Sequence, residues 1–388
     1  MSIIYLDNSA TTPLCPEAVA AMEEAMGVFG NPSSLHGVGQ EAHALLTRAR
    51  GQVSAALGIK SLRPGELIFT SCGTEASALA IYGSVYAKPR RFASRVITTD
   101  CEHPSVEEAM RKLEADGIEV VRIPTKNGVL DTEVAISALN TPTLLVSMMM
   151  VNNETGAHFD VAKVFAAAKA KDSRTVTHCD AVQGLLKVPF TPASIHADLV
   201  TVSAHKIHGP KGVGALYVHP DIIKTKRITA HLTGGGQEFG LRSGTENIMG
   251  IAGFGAAAQA GLASRGEDQA KMVALRDRLE GKLRDMGVQM NIPAGDRAPH
   301  ILNLTLPSIK SQTMLNYLSA QGICVSSGSA CSSHSVRISP SLAAFGLTAH
   351  EADCSLRVSF SAHNTEEEVD KLCEALGKGI STLVRIRK

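Results

Sequence analysis

The chain has 388 residues, 44 % of them hydrophobic and 19 % charged, with a formal net charge of +1 at neutral pH. This is an ordinary globular balance with room for a large and a small domain, and it provides no overall field to draw nucleic acid or anionic lipid. There is no tryptophan, aromatics are only 4 %, which disfavours base-stacking surfaces, and no apolar run reaches the roughly 18 residues that cross a bilayer. The first residues, MSIIYLDNSATTP, lack the basic and long apolar regions of a secretory signal. Eight cysteines are scattered with no CxxC and no metal-type spacing. In a chain of this length they read as reduced thiols of a cytoplasmic protein, with no resident metal.

The elements follow in chain order. YLDNSATTP is extended or turn-like, with Pro13 opening a helix through Ala25. Gly30, Asn31, Pro32, Ser33 and Ser34 form a loop, and apolar residues at three- and four-residue steps predict a helix over 36–57. Strands are expected at 66–70, 95–99, 118–123, 144–150, 175–178, 199–202 and 213–218. Helices are expected at 74–86, 105–116, 132–140 and 161–172. The alternation predicts an α/β fold, a mainly parallel sheet of seven strands with helices on both faces. Next come a glycine-rich loop, an Ala/Gly-rich helix over 247–264 and an amphipathic connector over 272–286. Strands at 301–306, 323–326 and 355–359, with helices at 311–321 and 365–383, predict a smaller α+β domain. The division expected is 15–260 for the large domain, and 1–14 with 261–388 for the small one.

Function in a parallel α/β sheet gathers at the carboxyl ends of the strands. Five successive ends here deliver polar groups. Gly73 and Thr74 stand at a helix start, where free N–H groups favour an anion. His103 follows the next strand, then Asn153, then Asp180 with Gln183, and last Ser203, His205 and Lys206 on a glycine-rich corner. A corner lysine whose pKa is lowered by desolvation or cationic neighbours can form a Schiff base, and His205 and Lys211, nearby in sequence, are placed to supply some of that. A phosphate cradle, one carboxylate, one lysine and a histidine are what pyridoxal phosphate requires. No G-x-G-x-x-G follows the first strand, no phosphate-loop motif of nucleoside triphosphatases is present, and no zinc spacing occurs.

YLDNSATTP, GNPSS, TSCGTEAS, EHPSV, VNNETG, HCDAVQ, SAHKIHGPKGVGALYV, GGGQEFGLRSGTEN and SSGSACSS stand in this order. With them the chain resembles the cysteine desulfurases, pyridoxal-phosphate enzymes of fold type I in the aminotransferase class V group, from Tyr5 to about Phe360. The resemblance implies that Lys206 is the Schiff-base lysine, that His103 stacks on the cofactor ring and relays protons, and that Asp180 contacts the ring nitrogen. It implies that Asn153 and Gln183 hold ring substituents, with Asn153 also near the substrate. Gly73, Thr74, Ser203 and His205 would bind the phosphate, and Thr245 would reach the phosphate of the neighbouring subunit in a homodimer. Arg357 would pair with the substrate carboxylate. Cys331 would take sulfur from L-cysteine as a persulfide, leaving L-alanine. It would then pass that sulfur to an acceptor or scaffold protein for iron–sulfur cluster, cofactor or tRNA biosynthesis, serving at most as a transient iron–sulfur ligand. A selenocysteine lyase or another class V aminotransferase or β-lyase is the alternative.

Four departures stand out. Cys72-Gly73 replaces a usual serine-glycine, and His208 stands where tyrosine is common. The run after Cys331 is slightly longer than in many relatives and ends Ser339-Pro340-Ser341 where they have Glu-Pro-Ser. The chain also stops at Lys388 without the long tail by which housekeeping iron–sulfur enzymes dock a scaffold, so the sequence does not identify the acceptor.

Overall fold

Seven strands join in the order Leu67–Thr70, Gly214–Val218, Leu199–Ser203, Val176–Asp180, Leu145–Met149, Arg95–Thr99 and Glu119–Ile123. The computed structural model describes residues 3–87, 93–327 and 338–384. Strands joined through long crossovers pair in parallel. Gly214–Val218 runs antiparallel to both neighbours, because the short corner after Ser203 leaves no length for a crossover. All but the edge strand Glu119–Ile123 are buried almost throughout. That burial explains their near-continuous Val, Ile, Leu and Met content.

Apolar clusters fill both faces of this sheet. One includes Leu46, Val53, Phe165 and Phe254, the other Leu79, Ile81, Met110 and Leu113. A third core surrounds a three-stranded antiparallel sheet of Gln289–Met290, Ile301–Thr305 and Ser355–Ser359. The helix Glu366–Thr382 packs there, opened by a capping box in which Thr365 accepts from the Glu368 N–H. The first described strand, Ile4–Tyr5, pairs in parallel with Ile323–Cys324. The start of the chain is therefore built into its last third.

Several expectations shift. The first helix begins at Pro16, not Pro13, because Cys15 N–H bonds the His208 carbonyl and holds the preceding residues extended. The strand expected over 175–178 runs to Asp180. The strand expected over 323–326 stops at Cys324, and Ser326 makes an isolated bridge to Arg357. The two helices expected over 247–264 and 272–286 are one, Ile248–Leu283, of 36 residues. Its charged middle breaks the apolar rhythm but contains no proline, so nothing in the backbone stops it. At about 1.5 Å per residue it spans about 54 Å. Ile251 and Phe254 enter the large core, while Met272, Leu275, Leu279 and Leu283 enter the small one. Gly255 lets it lie against the helix Gly37–Ala56, since a Cβ there would come 2.6 Å from Ala49 Cα.

Candidate active site

Lys206 ends a single helical turn, Ala204–Lys206, directly after the strand Leu199–Ser203. Its Nζ donates to the carbonyls of Ser9 at 2.6 Å and Ala10 at 2.8 Å. Those carbonyls belong to a turn pinned from two sides. Ser9 N–H donates to Ser359 Oγ at 2.8 Å, and Thr12 N–H to the His205 carbonyl at 2.9 Å. Sequence reasoning missed Ser9 and Ala10, because a backbone carbonyl leaves no residue signature; the only available signal was the run YLDNSATTP.

Ten of the twelve site residues expected from sequence line one cavity of about 270 Å³: Gly73, Thr74, His103, Asn153, Asp180, Gln183, Ser203, His205, Lys206 and Arg357. Thr245 is exposed and lines a separate, smaller hollow with Thr70, Ser71 and Arg242. Cys331 lies outside the described residues. Among the described residues no group of three His, Cys, Asp or Glu side chains could hold a metal ion.

One end of the cavity suits an anion. The helix Gly73–Val85 starts there, and the side chain of its N-cap Cys72 caps nothing. The N–H groups of its first turn are thus left to whatever enters the cavity. A Cβ on Gly73 would lie 3.1 Å from Val182 Cγ2 and 3.4 Å from Ser203 Cβ. Gly214 presses its backbone so close to this loop that a Cβ would lie 2.5 Å from the Cys72 carbonyl carbon. Ser203 Oγ is buried here with no hydrogen-bond partner among the described residues. His205 places Nδ1 3.2 Å from Thr11 Oγ1. Burial, then Lys206 and Lys211, pull its pKa down to about 4. His205 is therefore neutral at pH 7 and supplies no positive charge to depress Lys206, contrary to the sequence expectation.

The middle of the cavity holds a buried carboxylate and an imidazole. Asp180 pairs in register with Met149 on one side and Thr201 on the other, and accepts from Val182 N–H at 3.0 Å. Burial pushes its carboxyl up, opposed by His103, the Val182 N–H and Lys206. A cationic ring nitrogen beside it would restore the ionised form. His103 caps the helix Pro104–Ala115, its Nδ1 accepting from Ser105 N–H at 3.1 Å. Burial lowers its pKa, Asp180 opposes this and Lys206 adds to it. The imidazole is neutral with its proton on Nε2, since Nδ1 is engaged as an acceptor. Gln183 donates to the Ser9 carbonyl at 2.9 Å and meets His300 Nε2 at 3.3 Å.

Arg357 closes the opposite side from the strand Ser355–Ser359. Nη2 donates to Asp7 Oδ1 at 2.7 Å and Nη1 to the Asn153 carbonyl at 2.9 Å. Nε is buried without a hydrogen-bond partner among the described residues. Behind the cavity, Glu102 is buried, taking Thr99 Oγ1–H at 2.7 Å and Met149 N–H at 2.9 Å on one oxygen. Burial pushes its carboxyl up to about 8. Sequence reasoning gave it no role, since its burial appears only once the sheet is assembled.

The family model described as aminotransferase class-V matches residues 4–372. The chain is 38 % identical to a cysteine desulfurase of Trichormus azollae over 99 % of this chain and 94 % of that one. Its fold matches a solved NifS-like protein with TM-score 0.89 and 34 % identity, covering 99 % of this chain and 100 % of that one. It also matches a structure of SspA in complex with cysteine, with TM-score 0.78 and 28 % identity, covering 93 % and 99 %.

Proposed function

This chain belongs to the aminotransferase class-V family and is a cysteine desulfurase, and from that premise we propose how its own residues bind, orient and move protons. The family uses pyridoxal phosphate. The residues fit that cofactor: the uncapped helix start and the orphaned Ser203 hydroxyl suit its phosphate, and the buried Asp180 suits its ring nitrogen. Lys206 would hold it covalently, with Asn153, Gln183 and His205 around it. When bound, it supplies an electron sink for the carbon chemistry.

The single observation that carries this reading is the convergence of Lys206, Asp180, His103 and the first turn of Gly73–Val85 on one cavity. Arg357 would orient L-cysteine through its carboxylate, using guanidinium N–H groups that Asp7 and the Asn153 carbonyl do not engage. Lys206 Nζ would move the α-proton. His103, neutral and carrying its proton on Nε2, would relay a proton at that atom. The thiolate of Cys331 would attack the substrate sulfur. As the carbon–sulfur bond breaks, its electron pair stays with carbon, which takes a proton and becomes the alanine methyl. The sulfur remains on Cys331 as a persulfide for an acceptor or scaffold protein.

The active form would be a homodimer in the cytoplasm, with Thr245 completing the partner's phosphate site. Met26, Phe29, Leu35 and Phe239 are large apolar side chains left exposed in a single copy, which supports such an assembly. No helix among the described residues is long and apolar enough to cross a membrane. The large unit would span 15–260, and the small one 1–14 with 261–388. Full-length similarity to desulfurases leaves a selenocysteine lyase or another class V enzyme less favoured. The test is release of alanine and sulfide from L-cysteine under a reductant, with mass spectrometry of the oxidant-free protein. Sulfur found on a cysteine other than 331, with Cys331→Ser still active, would overturn the assignment of the nucleophile.

A further inference from the structure

The turn that follows the strand Leu145–Met149 connects three things at once. Asn152 Oδ1 accepts from the N–H groups of Glu154 and Thr155, both at 3.0 Å, and so fixes its shape. The Asn153 carbonyl holds Arg357 Nη1. Glu154 Oε1 takes the Ser339 hydroxyl at 2.7 Å. Beside it, Asn152 Nδ2 donates to Ser341 Oγ at 3.0 Å, and Ser341 Oγ donates to the Cys101 carbonyl at 3.2 Å. Glu154, Ser339 and Ser341 are all buried. On the other side, Ser326 and Arg357 exchange two backbone hydrogen bonds, at 3.1 and 2.7 Å. The described chain on both sides of residue 331 is thus tied to the surroundings of one arginine.

We propose that Glu154 is a positioning residue of the desulfurase reaction: it fixes Ser339, and with it the downstream flank of the Cys331 segment, against the turn that holds Arg357. The inference rests on the reading of Cys331 as the sulfur-accepting thiol. A carboxylate is an expensive way to fill buried space, because its charge is desolvated. Here, among the described residues, one oxygen meets the Ser339 hydroxyl and the other, Oε2, has no hydrogen-bond partner. Burial pushes the Glu154 carboxyl up, opposed by the Ser339 hydroxyl, Arg357 and the Ser341 hydroxyl. The 2.7 Å bond to Oε1 holds the short Ser339 side chain against the turn.

The experiment uses cofactor-loaded enzyme in single turnovers with L-cysteine. It compares wild type with Glu154→Ala, Glu154→Gln, Ser339→Ala and the double variant Glu154→Ala/Ser339→Ala. Three quantities are read: the change in the cofactor's visible absorption on cysteine binding, the rate at which persulfide appears on Cys331 by mass spectrometry, and amide exchange over 341–346. The expected result is an absorption change within two-fold of wild type in every variant. Persulfide formation should slow about ten-fold in Glu154→Ala and in Ser339→Ala, with no further loss in the double variant, since both remove one contact. Glu154→Gln should recover most of the rate, because its amide oxygen still accepts the hydroxyl. Exchange over 341–346 should rise in both alanine variants. Persulfide rates within two-fold of wild type would overturn the proposal. So would a parallel loss of the absorption change, or losses that multiply in the double variant. Should Glu154→Ala fail to fold, Ser339→Ala, which removes one hydroxyl, decides by the same criteria. Wild type that forms no persulfide on Cys331 would overturn the reading beneath the proposal and the proposal with it. Normal wild type with insensitive variants would overturn the proposal alone.

Discussion

Arg357 and Asp7 are 350 positions apart in sequence, yet Nη2 of the arginine donates to Oδ1 of the aspartate at 2.7 Å. The pair joins the start of the chain to the strand Ser355–Ser359 on the wall of the cavity. It also fixes which part of the guanidinium is left for a ligand. Lysine cannot keep the Asp7 and Asn153 contacts and still offer a fork to a carboxylate. Arg357→Lys should therefore lower kcat/KM for L-cysteine roughly 10- to 100-fold, the worth of one or two charge-assisted hydrogen bonds. Steady-state alanine release measures this, and an unchanged kcat/KM would show that Arg357 does not meet the substrate carboxylate.

Lys206→Ala should abolish turnover and the visible absorption of the bound cofactor together. No other lysine lines the cavity, so nothing replaces its amine. Absorption spectra and alanine release on the same preparation check both; activity kept within a few-fold would end the assignment of Lys206.

Thr245 does not line the cavity that holds Lys206 and instead lines a different hollow. If it serves a partner's phosphate site, inactive Lys206→Ala chains mixed with impaired Thr245→Ala chains should form hybrids in which one site is intact. Recovery of up to about a quarter of wild-type activity is expected from random pairing of equal amounts. A fully active monomer in solution would refute the shared site.

Part of the acid sensitivity should trace to His178. It is buried within the sheet, with Nδ1 2.8 Å from Ser147 Oγ and Nε2 2.9 Å from Thr201 Oγ1. Burial lowers its pKa from 6.5 to about 3. Between those values the unfolded chain binds a proton that the folded chain refuses, so stability falls as pH drops. At pH 5 the loss is about 2 kcal/mol. Glu102 acts with the opposite sign, since a carboxyl raised to about 8 loses stability as pH rises toward that value. The contribution of His178 is therefore read as the difference between wild type and His178→Gln, which share Glu102. Urea denaturation from pH 7 to 5 should show the shallower decline in the variant; equal slopes would refute it.

The parallel sheet and the rim of its strand ends were legible because strand-length apolar runs are each followed by glycine or polar residues. Lys206, Asp180, His103 and the Gly73–Thr74 helix start could be placed together for that reason. The turn of Ser9 and Ala10 was not legible as a site, since it acts through carbonyls that any residue carries. Asp180 was expected just beyond its strand and is its last residue, because a polar side chain ends an apolar pattern before hydrogen bonding ends. The long helix was divided in two because its polar middle faces solvent while both ends are buried in different cores. The neutrality of His205 follows from burial, and no spacing of charges along a sequence can show it.

The uninterrupted helix Ile248–Leu283 carries a mechanical consequence. It enters both cores without a break, and a continuous hydrogen-bonded rod has no soft dihedral at which to swivel. Lys206 and Arg357 line one cavity, the first from the end of a strand of the large sheet and the second from a strand of the three-stranded sheet. The helix acts as a brace, and the gap between amine and guanidinium is set when the chain folds. Little of a ligand's binding energy need be spent on bringing the two walls together. The dimensions of the cavity act as a fixed gauge, and the shape of the incoming amino acid must conform to it.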